Sequence, residues 1–226
     1  MPKAEASIFK THSVFGNIVY LGFPLIYALY AEEGLLYAGM FQFASNMMIW
    51  TVGVVLLNQG KGLSFRQNVS HILNINTFAV IVGFLMFLAS LKLPFVMMKA
   101  LGGLGDSTPY LSMLYVGSMI YFTPLKGFLN RREIYIFTIN KLILMPVILL
   151  LILYGIITFI PGGIDYKVMA SLVLLSSMPG MANVVIMAKI FGADDKLATA
   201  NVAVSTIASI ATLPLILYLI EYLLPR

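Results

Sequence analysis

Ser176-Ser177-Met178-Pro179-Gly180-Met181-Ala182-Asn183 interrupts an apolar run over residues 166–191. That run is long enough to cross a bilayer core of about 30 Å, which takes about 20 residues of α-helix. Proline removes a backbone donor and clashes with the preceding turn, and the glycine beside it loosens the helix further. In lipid, the freed backbone groups must find partners or line a wet cavity. A second run, residues 13–31, carries Phe15-Gly16-Asn17 and then Gly22-Phe23-Pro24. Both runs end in an acidic turn, Glu32-Glu33 after the first and Asp194-Asp195 after the second. Asn17 precedes Glu32 by 15 residues, and Pro179 precedes Asp194 by 15. A single such helix reads as a proline kink. Two of them, each followed by an acidic turn and a long helix, read as copies of one unit, with a site where the broken helices meet.

Working outward, seven apolar stretches reach membrane length: A at 13–31, B at 34–58, C at 74–92, D at 107–124, E at 133–160, F at 166–191 and G at 196–223. The chain divides into residues 1–58 (helices A and B), an interfacial linker at 59–73, and residues 74–226 (helices C to G). Between C and D, the short apolar stretch Pro94 to Gly105 reads as a hairpin at the membrane surface. Asp106-Ser107-Thr108-Pro109 then reads as the opening of D, with cap residues and an early proline. The polar start, Met1 to Thr11, lacks a following short apolar segment and small-residue cleavage site, so no signal peptide is expected.

Composition agrees with a chain solvated by lipid. Of its 226 residues, 60% are hydrophobic and 10% charged, and the mean hydropathy is +0.95. Soluble domains average about 45–50% apolar and about 25% charged residues. An ordinary soluble enzyme, a nucleic-acid-binding module and a disordered chain are thereby excluded. The net charge of +5 resides in loops between apolar runs, so it bears on orientation rather than on nucleic acid. With the N-terminus inside, nine Lys and Arg lie on the inner side: Lys3, Lys10, Lys61, Arg66, Lys126, Arg131, Arg132, Lys189 and Lys196. Four lie outside, Lys92, Lys99, Lys167 and Arg226, and Lys141 lies within helix E. The expectation is N-terminus cytoplasmic and C-terminus outside, in a bacterial inner membrane. A seven-helix receptor would have the opposite orientation, and a retinal protein would need a lysine inside helix G, which has none.

On these expected spans, with D opening after Asp106, all nine acidic residues fall in loops or at helix ends. Cation pumps and antiporters place a carboxylate mid-membrane as a partner for the ion, and this chain is unsuited to that chemistry. There are no cysteines and two histidines, His12 and His71. Neither G-x-S-x-G nor H-E-x-x-H occurs. No catalytic set, metal site or cofactor is expected. Helix G carries Asn201, Ser205, Ser209 and Thr212 on one face, and helix B carries Gln42, Ser45 and Asn46. Such stripes serve close helix packing or line a cavity; Asn46, Asn201 and Ser205 are the candidate cavity residues.

Several of these stretches are recognisable. Phe15-Gly16-Asn17, Gly22-Phe23-Pro24-Leu25 and Glu33-Gly34-Leu35-Leu36-Tyr37-Ala38 resemble the fourth helix of the auxin efflux carrier family and its continuation. That family includes plant PIN-type carriers and bacterial permeases associated with malate or malonate. Ser177 to Asn183, then Phe191-Gly192-Ala193-Asp194, is similar to its ninth helix, and Thr206 to Pro214 to its tenth. The resemblance covers nearly the whole chain. It implies an all-α integral membrane protein with about seven transmembrane helices, corresponding to helices four to ten of an inverted-repeat carrier. Its crossing helices would be A and F, broken at Gly22, Pro24, Pro179 and Gly180.

Uncharged residues at the crossing leave the half-helix N-termini free to attract an anion. The expected substrate is a small organic anion such as a carboxylate, held by Asn17, Ser177 and Asn183 and moved by alternating access. The expected partners are that anion and the lipid bilayer, with a homodimer in view and no nucleic acid. The competing reading is a truncated membrane protein that does not transport, or a structural partner of another chain.

Overall fold

The computed structural model describes residues 3–58, 75–123, 125–157 and 164–224. The linker at 59–73 and His71 lie outside the described residues. Helix α1 (Lys3–Val14) ends at an unwound segment, residues 15–17. A π-turn (Ile18–Gly22), helix α2 (Phe23–Met48), a second π-turn (Ile49–Gly53) and helix α3 (Val54–Asn58) follow. Then come α4 (Ile75–Leu88), α5 (Phe95–Phe122) and the short α6 (Leu125–Leu129). Helix α7 (Arg132–Ile139), a third π-turn (Asn140–Leu144) and α8 (Met145–Ile157) make one pass. Helices α9 (Tyr166–Ser176) and α10 (Ala182–Ile190) flank the second unwound segment, and α11 (Asp195–Leu223) completes the described chain.

Three stretches are long and apolar enough to cross a bilayer: Ile18–Asn58, Arg132–Ile157 and Asp195–Leu223. The first has 41 residues, which at about 1.5 Å per residue is about twice the bilayer core. It is folded in two at Ala31, whose backbone is non-helical (φ 52°, ψ −143°). Gly34 permits this reversal. A Cβ there would stand 2.7 Å from Tyr30 Cβ and 3.2 Å from the Ile26 carbonyl oxygen. Ala31 therefore divides helix A from helix B, and the chain is an all-α membrane protein.

Two features differ from the sequence expectation. Helix A begins at Lys3 rather than at residue 13. The polar start belongs to it because Ser7, Thr11 and His12 are buried with Ile8. Thr11 Oγ1 donates to the Ser7 carbonyl at 2.8 Å, so the helix itself satisfies that hydroxyl. The expected surface hairpin at 94–105 is the first half of the continuous α5. Pro94 (φ −52°, ψ 144°) is its N-cap. Ser107 Oγ donates back to the Leu104 carbonyl at 2.7 Å, so a hydroxyl that could cap a helix is bonded inside one.

The buried apolar residues form two cores at opposite ends of the crossed pair. One joins Ile8, Phe15, Ile49, Leu57, Ile134, Val184, Val185 and Leu197. The other joins Ile26, Ala38, Leu150, Met169, Leu174, Ile216 and Ile220. The first takes the start of helix A and the end of F; the second takes the end of A and the start of F. Glu33 is ion-paired with Lys167 at the start of F, while Asp194 caps α11 just after F ends. The two acidic turns thus lie at opposite ends of the molecule, and the unwound segments lie between the cores.

Candidate functional site at the helix crossing

The two unwound segments meet each other. Asn17 N–H donates to the Pro179 carbonyl at 2.8 Å, and Met181 N–H donates to the Phe15 carbonyl at 3.3 Å. They pair Gly16 with Gly180 as one antiparallel β-bridge. Two of the backbone donors released by the breaks, and their two acceptors, are therefore paired with each other, as a low-dielectric interior favours. Close approach leaves little room for a side chain at either glycine. A Cβ on Gly16 would lie 3.1 Å from both Cβ and the carbonyl oxygen of Met178, and one on Gly180 would lie 3.2 Å from His12 Cδ2. Gly16→Ala is expected to lower stability by about 1–3 kcal/mol, the usual cost of overpacking. Thermal unfolding of the detergent-solubilised protein measures this; an unchanged midpoint would show that the crossing has slack.

Proline acts on helix A differently from the sequence expectation. Gly22 and Pro24 have helical neighbours: Gly22 lies at φ −67°, ψ −50°, and Pro24 occupies the first turn of α2. The break itself is at residues 15–17. Lacking an N–H, Pro24 leaves the preceding turn short of a donor. The register slips by one residue, and Gly22 N–H bonds the Asn17 carbonyl, five residues back, at 3.3 Å. Pro146 stands six residues after the start of the π-turn Asn140–Leu144, the same offset as Pro24 from Ile18. In helix F, by contrast, Pro179 and Gly180 are themselves in the unwound segment.

Four helix ends converge here: the C-terminal ends of α1 and α9, and the N-terminal ends that begin at Ile18 and Ala182. Asn17, 3% exposed, lies at the bridge, and its side chain makes no cap bond to the turn it precedes. Asn183 is in the first turn of α10, and its Oδ1 accepts from the Tyr20 hydroxyl at 3.2 Å. Ser177 is fully buried, and its hydroxyl donates to the Leu174 carbonyl at 2.7 Å. Asn17 and Asn183 thus sit on the two breaks, while the Ser177 hydroxyl is turned back on its own helix.

Helix G faces the same layer. Ser205 Oγ accepts from Gly180 N–H at 3.1 Å and donates to the Asn201 carbonyl at 2.6 Å. Asn46 is half-buried, one turn before the π-turn at Ile49, and its Oδ1 accepts from Gln42 Nε2 on its own helix.

Two residues outside the expected site complete the layer. Lys141, on the third π-turn and 4% exposed, sends its ammonium to the Ser13 carbonyl at 3.1 Å, at the C-terminal end of α1. A cation at a helix C-terminus is favourably placed. His12, fully buried, has Nε2 3.3 Å from the Met181 carbonyl oxygen and Nδ1 3.5 Å from Asn201 Nδ2. Lys141 had a readable signal, since an ionisable residue inside an apolar span is a functional candidate by default. His12 had none in periodicity, because its helix lies outside the apolar run.

Among the described residues no group of three or more His, Cys, Asp or Glu comes together to hold a metal. Two open surface grooves are present, one along α1 from Ala6 to Ser13 and Val14 at the C-terminal end that reaches the crossing, the other on α5 between Tyr110 and Ser118.

Comparison with known proteins is consistent with this architecture. The family model described as "Membrane transport protein" matches residues 1–67 and 62–217. A protein of Rhizobium meliloti (strain 1021), named "Putative malonate transporter", is 25% identical over 229 residues, covering 96% of this chain and 68% of its own length. With its model matched over most of the sequence, the chain belongs to the membrane transport protein family.

Proposed function

We propose that this chain forms the substrate-handling part of a secondary carrier for a small organic anion, of the dicarboxylate class named for its Rhizobium relative. The observation that carries this reading is the charge at the crossing. Lys141 supplies a buried cation, and two half-helix N-termini open there. The His12 ring, Asn17 and Asn183 add only neutral donors and acceptors. An anion is the species such a layer stabilises.

Asn17 and Asn183 would donate amide hydrogens to the carboxylate. Ser177 would join them by releasing its bond to Leu174. The layer lies between two separate apolar cores, so opening one and then the other would give alternating access. Helices A–B would be the end of the first inverted repeat and helices C–G the second, with A–B and F–G as their matching units. Uptake of labelled malonate by proteoliposomes tests the reading. Uptake above empty vesicles, competed by unlabelled dicarboxylates and not by neutral analogues, is expected. Equal competition by neutral analogues would sink it.

Orientation follows from the basic loops, with the N-terminus inside. The native chain has no cysteine, so single cysteines report cleanly. Cysteine at exposed Glu32 is expected to react with a membrane-impermeant maleimide from outside whole cells. Cysteine at exposed Lys196 should react only after the membrane is opened. Labelling of both from the same side would refute the arrangement.

A further inference from the structure

We propose that His12 is the proton-binding group of this site, and that a proton enters the crossing together with the anion. The inference deepens the anion-carrier reading and rests on it.

The Met181 carbonyl only accepts, so the 3.3 Å contact is a hydrogen bond in the tautomer that carries its hydrogen on Nε2. In the neutral ring Nδ1 is then an acceptor, and Asn201 Nδ2 at 3.5 Å donates to it. The other end of that amide, Asn201 Oδ1, is buried without a hydrogen-bond partner. Such an orphan in a closed interior costs free energy and calls for an explanation. Protonation would change which end of the amide faces the ring. The imidazolium keeps Nε2–H on Met181 and gains Nδ1–H. Rotation of the Asn201 amide by half a turn then presents Oδ1 as the acceptor. Asn201 accommodates both states of the ring without any backbone shift.

The surrounding charges make the second state conditional. Lys141, on the π-turn between α7 and α8, is the charged group that bears on the ring. The other neighbours are neutral: Phe137 of α7 at 5.9 Å between ring centroids, Gly180 and Met181 of the F break, and Asn201 and Ser205 of α11. On its own helix, Glu5 is held by Arg131 at 3.1 Å, and Lys10 is exposed two residues away. A second positive charge beside Lys141 is unfavourable in a closed, apolar-walled layer. An anion at the crossing offsets it. Proton and anion binding therefore reinforce each other, and linkage makes the effect reciprocal. His12 also touches both unwound segments' surroundings: it is four residues before Gly16 and abuts Gly180, so its state acts on the bridge itself.

The test is malonate binding to the purified chain in weakly buffered detergent, with a pH indicator. Wild type is expected to take up protons on binding, and its affinity should rise by up to about tenfold per pH unit lowered within the linkage window. H12Q is expected to bind with no proton uptake beyond malonate's own, and with a correspondingly flat profile. Equal uptake by both proteins would overturn the inference and leave the carrier reading intact. Malonate binding by neither would overturn both. Should H12Q not fold, nitrogen NMR of the H71Q protein, in which His12 is the remaining histidine, decides. A neutral Nε2–H tautomer that becomes imidazolium only with malonate present is expected. An Nδ1–H tautomer, or titration indifferent to malonate, would overturn the proposal.

Discussion

Replacing Lys141 by methionine is expected to weaken dicarboxylate binding by about a thousandfold. The estimate comes from one unit charge interacting with a carboxylate about 4 Å away at an effective dielectric of about 20, worth about 4 kcal/mol. Lys141 does a second job, because its ammonium holds the Ser13 carbonyl at the end of α1. Methionine leaves that carbonyl without its donor, at a cost of about 1–3 kcal/mol in stability. Losing a buried charge relieves desolvation, which offsets part of that cost. Lys141→Gln separates the two roles, since glutamine can still donate to Ser13 but carries no charge. Both variants should lose affinity alike, measured by equilibrium binding of labelled malonate. Methionine should show the larger drop in thermal midpoint. Wild-type affinity in Lys141→Gln would reduce Lys141 to a helix-end clamp.

How much of this was legible in the sequence depends on the kind of signal. The F break was, because Pro179 and Gly180 stand inside an apolar run where a free backbone is costly. Read from Gly22 and Pro24, the A break falls one turn or more too late. A proline near a helix start bends the register without ending the helix, and the π-turn at Ile18–Gly22 absorbs it. Gly16 lies in the break, and only the bridge to Gly180 shows why a side chain there is crowded. Long-range pairing of that kind has no local sequence signature. The same holds for α1: its buried face is Ile8, Thr11 and His12, and a hydropathy window passes over a helix whose inward face is polar. Asp106-Ser107-Thr108-Pro109 divides α5 in the sequence because it has cap chemistry, which a helix interior can also satisfy through bonds such as Ser107 to Leu104. That Asn17 and Asn183 lie on the breaks was legible from the Gly and Pro beside them. Lys141 reaches the crossing only through tertiary packing, and His12, three residues before the A break, lies on a polar helix start that hydropathy passes over.

Asn183→Asp is the substitution that isolates the sign of the substrate's charge. Aspartate is nearly isosteric with asparagine, and its carboxylate can still accept from the Tyr20 hydroxyl as Asn183 Oδ1 does at 3.2 Å. Packing and the A-to-F contact therefore persist, and the change is the loss of one donor and the gain of one negative charge. A carboxylate ligand about 4 Å away would meet repulsion of about 4 kcal/mol at an effective dielectric of about 20, roughly a thousandfold in affinity. Asn183→Ala removes the donor without adding charge and should cost about 1.5–3 kcal/mol, the range for a hydrogen bond to a charged group. Asp worse than Ala, and Ala worse than wild type, is the order expected from uptake of labelled malonate at matched expression. A packing role predicts the reverse for the first pair, because Asp fills the space that Ala leaves empty. Measuring at both neutral and high pH guards against a proton on the new carboxylate, and the gap between Asp and Ala should widen as pH rises. Asp binding malonate as well as wild type at high pH would show either that the substrate is not an anion or that position 183 never touches it.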